Sequence, residues 1–125
     1  MNDAIRTALA RGGVIDLTTT GRKSGEPRRI EIVLHVIDDR LVISGAPRRE
    51  KRAWLANIEA DPRVTVHLKR DVVADLPGAV RVVTDESERR ELLAHVARNW
   101  GRGDLDLMVR YSPLIEVVLD DRAIA

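Results

Sequence analysis

Two short stretches of this sequence concentrate groups able to hold an anion. The first is Gly21-Arg22-Lys23-Ser24-Gly25-Glu26-Pro27-Arg28-Arg29, in which cations are set among two glycines and a proline. Glycine allows the sharp reversals that expose backbone N–H groups. Arg22, Lys23 and Arg28 beside them carry donors suited to phosphate or carboxylate oxygens. A solvated hairpin turn with incidental charges would use the same residue types. The second stretch, Ser44-Gly45-Ala46-Pro47-Arg48-Arg49-Glu50-Lys51-Arg52, leads from a predicted strand into a predicted helix N-terminus. Unpaired amides and the helix dipole favour negative charge there. Four bases at that end work against the dipole unless something anionic sits among them. A hairpin between the two stretches is expected to bring Ser44 back beside Arg28, so that both basic turns meet at one sheet edge.

Charge distribution agrees with a local anion site. Residues 21–52 hold nine Lys/Arg against five acids, a net +4 in a chain whose overall charge is only +1. A basic segment on a near-neutral protein points to a small anionic ligand rather than to nucleic acid. Aromatic residues make up 2% with no phenylalanine, which removes the stacking platforms of single-strand binders. The absence of cysteine excludes disulfides, thiolate metal sites and cysteine nucleophiles. His35, His67 and His95 show no metal-type spacing, although His35 and His67 could meet across a sheet. No Ser-His-Asp arrangement, G-x-S-x-G elbow or HExxH motif is visible, so nothing reads as a hydrolase. Tyr111, the single tyrosine, is a candidate proton donor, with packing against the last strand as the plainer reading.

The elements that must position these groups follow from periodicity. Residues 14–19 and 28–37 read as strands, the latter with Ile30, Ile32, Leu34 and Val36 on one face. Asp38-Asp39-Arg40 makes a tight connection to a return strand over residues 41–44. A helix is predicted over residues 50–60, with Trp54, Leu55 and Ile58 as its buried stripe and Pro62 as its stop. Residues 64–68 form a fourth strand. Residues 72–74 and 79–83 are expected to pair as a hairpin around Leu76-Pro77-Gly78. Asp85 with Glu88 predicts a capping box for a helix carrying Leu92, Leu93, Val96 and Ala97. A short helical piece near residues 105–109 precedes a final strand over 114–119. About six strands, mostly consecutive, hide their edges best by closing into a barrel.

At 125 residues the length predicts one domain, residues 1–125, able to bury a core without staples. Asp3 and Arg6 interrupt the Ala-rich start, so no signal peptide is expected, and no apolar run approaches a membrane span. A cytoplasmic location is the default. The first dozen residues predict a short terminal helix that rests on the domain or on a membrane surface, the former being favoured.

The run Leu17-Thr18-Thr19-Thr20-Gly21-Arg22-Lys23-Ser24-Gly25-Glu26-Pro27-Arg28 resembles the signature of the deazaflavin-dependent nitroreductase family. These are split-barrel oxidoreductases that use coenzyme F-420. The likeness continues through Glu50-Lys51 and Trp54-Leu55-Ala56-Asn57-Ile58-Glu59-Ala60-Asp61-Pro62-Arg63-Val64, and the motifs together cover residues 14–69. It implies a mainly β, antiparallel six-stranded split barrel of the FMN-binding, pyridoxamine-oxidase-like type, with two or three helices, and a homodimer. It further implies that Arg22, Lys23, Ser24, Gly25 and Arg28 cover the cofactor's phosphate and tail. By the same likeness Ser44, Gly45 and Ala46 edge its ring, and Arg48 and Lys51 complete the anion site. Two departures stand out. Leu105-Asp106-Leu107-Met108 is aliphatic where the family carries tyrosines, leaving Tyr111, and the loop after Ser44 is shorter by about a residue. The resemblance implies hydride transfer from reduced F-420 to a quinone, nitro compound or activated alkene. An FMN-binding reductase and a non-catalytic cofactor carrier remain as alternatives.

Overall fold

Alternation of apolar and polar residues decides the architecture. In β1 (Gly13–Thr20) the side chains of Ile15, Leu17 and Thr19 are buried, while Asp16, Thr18 and Thr20 between them stay partly exposed. A computed structural model, which describes residues 2–120, shows five more strands. These are β2 (Pro27–Ile37), β3 (Arg40–Ser44), β4 (Arg63–Lys69), β5 (Val73–Val82) and β6 (Leu114–Leu119). They close antiparallel into a barrel in the order β1-β2-β3-β6-β5-β4. The closure is uneven. β3 pairs with β2 only over residues 34–37, so residues 27–33 of β2 are bonded to β1 alone. This is the six-stranded antiparallel split barrel that the resemblance implies. Asp38 and Asp39, both at positive φ (50° and 62°), form the two-residue turn whose twist matches the β2–β3 hairpin.

Two helices close the barrel ends. α1 (Asp3–Arg11) starts where Asn2 accepts the Ile5 amide at 2.8 Å and stops at Gly12, φ 67°. Its Leu9 is buried with the barrel interior, so this helix is a plug packed on the protein. α2 (Ala53–Ala60) does the same at the opposite end with Ile58, Trp54 and Leu55. A second core lies outside the barrel. There α3 (Glu86–Trp100) and α4 (Leu105–Tyr111) cover Ile37 and Val42 with Leu92, Leu93, Val96 and Met108. The Arg89 guanidinium ties this layer together by donating to the carbonyls of Val83, Met108, Val109 and Ser112.

The hairpin predicted around Pro77 is instead the middle of β5, which runs unbroken from Val73 to Val82 between β4 and β6. Proline is tolerated because it lies one residue outside the β5–β6 pairing, where no ladder donor is needed, and its carbonyl accepts the Asp120 amide at 2.8 Å. Gly78 is required for a different reason: a Cβ there would lie 2.5 Å from the Val118 carbonyl oxygen on β6. The capping box is half formed. Asp85 accepts the Glu88 amide at 2.9 Å, but the Glu88 carboxylate turns outward to Arg81 and Arg40 rather than back to Asp85. Those guanidiniums, Arg81 first, hold Glu88 down at about 2.

Two outcomes follow from this packing. Gly78→Ala should lower unfolding free energy by about 1–3 kcal/mol in urea titrations, whereas Gly103→Ala, with nothing within 4 Å, should be nearly neutral. A depressed carboxylate stabilises the fold above its unfolded value and loses that contribution as pH falls through the folded one. The Glu88 contribution should therefore fade between about pH 4.5 and about pH 2. Glu88→Gln should flatten the stability curve across that window.

Candidate functional site

The glycine-rich turn between β1 and β2 is folded onto itself. The Gly21 amide donates to the Glu26 carbonyl and the Gly25 amide to the Gly21 carbonyl, each at 2.8 Å. Ser24 Oγ accepts the Glu26 amide at 3.1 Å and the Arg28 guanidinium at 3.4 Å. A Cβ at Gly21 would lie 2.6 Å from that Ser24 oxygen, and Gly25 has φ +71°. The glycines thus serve the turn's own closure. The Gly21, Arg22, Gly25 and Glu26 amides are all taken by partners within the protein, so any anion here is held chiefly by side chains. Arg22, Lys23 and Arg28 have no carboxylate partner among the described residues.

One buried side chain ties this turn to α2. Asn57 Oδ1 accepts the Arg22 amide at 3.0 Å, and its Nδ2 donates to Thr19 Oγ1 at 3.1 Å. Both ends of the amide are satisfied, so burying it carries little penalty. The turn, the end of β1 and α2 form one rigid corner. Sequence reading placed Asn57 inside a family motif but assigned it no role, because its partners are 35 and 38 positions away.

The second basic stretch is arranged differently from expectation. α2 begins at Ala53, three residues later than predicted, with Arg52 as its N-cap in an extended conformation. Glu50 and Lys51 therefore join Arg48 and Arg49 in the loop before the helix rather than forming its first turn. The Arg52 guanidinium folds back to the Ala46 carbonyl at 2.7 Å, and a Cβ on Gly45 would press on it at 2.9 Å. Arg52 accordingly does not cap the helix, whose first amides face the loop. Burial first, and then the charge of Arg48, pull its pKa down. Lys51 is paired with Glu59 at 2.6 Å, whereas Arg48 and Arg49 have no carboxylate partner among the described residues. Tyr111, at the end of α4, lies beneath two guanidiniums, 5.8 Å from Arg49 and 5.3 Å from Arg110. These side chains line a depression of about 150 Å³.

Register corrects the expected convergence. Ile43 pairs with Leu34, which sets Ser44 opposite Val33 and about 17 Å along the strand from Arg28. The Ser44 hydroxyl is buried and donates to the Pro113 carbonyl at 2.6 Å, so its side chain is committed to the β3–β6 junction. Gly25 and Pro27 line one depression and Arg48 and Arg49 another. α2 spans the interval, with Arg52 at its start and Asn57 about 7.5 Å further along its axis. A compact phosphate would touch one cluster. An elongated polyanion, with a phosphate and separate carboxylates, fits the donor set of both.

The histidines do not meet. His35 is buried under α3, edge-on to Trp100 at 5.1 Å, and burial pushes its pKa down. His95 contacts Arg98 on the same helix. His67 stands on the outer barrel wall between Thr18 Oγ1 at 2.6 Å and Asp75 Oδ1 at 2.7 Å. That hydroxyl–imidazole–carboxylate chain was not visible in sequence, because its members come from three strands and only the closed register aligns them.

Among solved structures, the chain is similar to one described as an F420-H2 dependent reductase (20% identity, TM-score 0.64, covering 85% of this chain and 94% of that one). A candidate pyridoxamine 5'-phosphate oxidase of Listeria innocua matches at 18% identity and TM-score 0.69, covering 94% and 92% of the two chains. A structure described as a domain-swapped dimer matches at 19% identity and TM-score 0.65, covering 93% and 95%. At these identities the likeness is one of fold. A sequence-family model reaches further: that of the F420H(2)-dependent quinone reductases matches residues 2–121, every described element included. The chain belongs to that family and is an oxidoreductase whose reductant is the reduced deazaflavin coenzyme F-420.

Proposed function

We propose that this enzyme reduces a small quinone, with nitro compounds and activated alkenes as further electrophiles, and that its cofactor lies along α2 between the two basic clusters. The observation that carries the placement is the set of cations without acid partners at both ends of this helix. Away from this helix, cations such as Arg11, Arg40, Arg81, Arg90 and Arg102 pair with carboxylates, and of the first stretch only Arg29 does so, with Asp16. Leaving like charges unpaired costs stability through mutual repulsion, so a bound polyanion is the compensation such a site needs.

In this reading Lys23 and Arg28, with Arg22, Ser24 and Gly25 shaping the turn, hold one anionic part of the cofactor. Arg48, with Arg49 beside it, holds the other. Lys51 joins them only by releasing Glu59, and Ser44, Gly45 and Ala46 offer the ring backbone rather than side chains. The bound cofactor supplies a hydride; the protein supplies orientation and excludes water. Asn57 fixes the turn against the helix so that the distance between the clusters is set before binding. Tyr111, whose ring lies beneath Arg49 and Arg110, gives its hydroxyl proton to the substrate oxygen as it is reduced.

No helix among the described residues is long and apolar enough to cross a membrane, which is compatible with the cytoplasmic site we favour. The free edge of β2 over residues 27–33 and the dimeric neighbour support a homodimer as the working assembly.

Replacing Lys23 and Arg28 together by alanine should weaken F-420 binding by about 100-fold, two charge-assisted hydrogen bonds being lost. Melting temperature should not change, and titration fluorimetry reads the affinity. Unaltered affinity would place the site elsewhere. Tyr111→Phe should lower kcat with a quinone about tenfold while leaving cofactor affinity intact. Equal kcat in that variant would remove Tyr111 from the chemistry.

A further inference from the structure

We propose that the outer wall of the barrel carries a second, hydrolytic site in which Thr18 is the nucleophile toward esters of small carboxylic acids. The geometry is that of a hydroxyl, a base and an orienting acid in series. Thr18 Oγ1 lies 2.6 Å from His67 Nε2, and His67 Nδ1 lies 2.7 Å from Asp75 Oδ1. A carboxylate can only accept, so Asp75 selects the tautomer with the proton on Nδ1 and leaves Nε2 to accept from Thr18. The register enforces this alignment: His67 on β4 pairs with Asp75 on β5 and with Asp16 on β1, and Thr18 is the next outward-facing residue after Asp16. The imidazole side chain is only 10% exposed, so its orientation is held, while Asp75 at 73% opens the chain to water. The branched side chain of Thr18 is stiff at χ1, which keeps its oxygen on the ring.

The surroundings offer room and a second donor. Thr18 lines an open depression of about 720 Å³ that runs past Thr65, Pro77 and Val118, with Arg63 and Asp120 on its wall, to Gly25 of the β1–β2 turn. That volume falls in the range of small-molecule sites. Thr65 pairs directly with Thr18 and its hydroxyl has no hydrogen-bond partner among the described residues. Cross-strand pairs have Cβ atoms about 5 Å apart, so the Thr65 hydroxyl can donate to a carbonyl oxygen under attack from Thr18. Val118, 61% exposed, supplies an apolar wall for the acyl group.

The reaction balances without an oxidant or reductant. Thr18 Oγ1 bonds to the ester carbonyl carbon as its proton passes to His67 Nε2. The carbon–oxygen bond to the alcohol then breaks, and the alcohol leaves with that proton. Water next attacks the acyl-threonine, giving one proton to His67, and the carboxylic acid departs as Thr18 recovers its own. Thr18, His67, Asp75 and Thr65 take no part in the cofactor site proposed above, although Gly25 of that site borders the same depression, so the esterase reading is tested on protein without cofactor and by a readout that does not involve it.

The test uses the cofactor-free protein and p-nitrophenyl acetate, following p-nitrophenolate release and locating the acetyl group by peptide mass spectrometry. The expected result is acetylation at Thr18. His67→Gln should slow release about 100-fold, the usual worth of a general base. Thr18→Ser should keep both adduct and turnover, and Thr18→Val should lose both at unchanged melting temperature. Should Thr18→Val fail to fold, the mapped adduct in the unaltered chain and the His67→Gln rate still decide. Acetyl groups found only on lysines or the N-terminus, or release undiminished in His67→Gln, would reduce the Thr18–His67–Asp75 chain to a polar ladder and overturn the proposal.

Discussion

Hydrogen bonding between β1 and β4, with Asp16 opposite His67, Leu17 opposite Val66 and Thr18 opposite Thr65, closes the sheet on itself. Everything else in the molecule is arranged around that closure. It turns alternation along each strand into a strict inside and outside, because a one-residue slip would exchange every interior side chain for an exterior one. Leu17, Val66 and Ile115 fill the interior, and the two open ends then need plugs, which α1 and α2 provide. The polar residues excluded from the interior face outward, except where α3 and α4 cover Ile37 and Val42 with a second core.

Electrostatics divide the surface in two. On one side guanidiniums and carboxylates saturate each other, as where Arg40 and Arg81 bridge Glu88 and Glu116. Around α2, Arg22, Lys23, Arg28, Arg48 and Arg49 lack such partners among the described residues, while Lys51 pairs with Glu59, and Arg52 yields part of its proton affinity to burial and to Arg48. Exposed pairs contribute little to stability one by one, so the first group chiefly orders the α3 layer against the barrel. The second group does not serve folding. Asn57 reconciles the two demands by bonding the turn to the helix without a charge, so that the cations beside it remain available.

Where local chemistry was decisive, the sequence could be read directly. The punctuation at Gly21, Gly25 and Pro27 marked the β1–β2 turn, and Asp38-Asp39 marked the next one. Residue 77 shows the limit: a proline and a glycine in series read as a turn, yet neighbouring strands on both sides hold them extended. The start of α2 was misplaced for a related reason, since Arg52 is held extended by a bond to Ala46 that no local propensity records.

From residue types and spacing alone, this protein had to be a β-rich domain with two cationic stretches and a motif signature of deazaflavin enzymes, because those properties are carried by short contiguous runs. The tertiary structure decided how far apart the two stretches lie, that Ser44 turns inward, and that Thr18, His67 and Asp75 touch. Each depends on strand register and barrel closure, which are set by the packing of residues distant in the chain. No window of sequence contains both halves of such a contact.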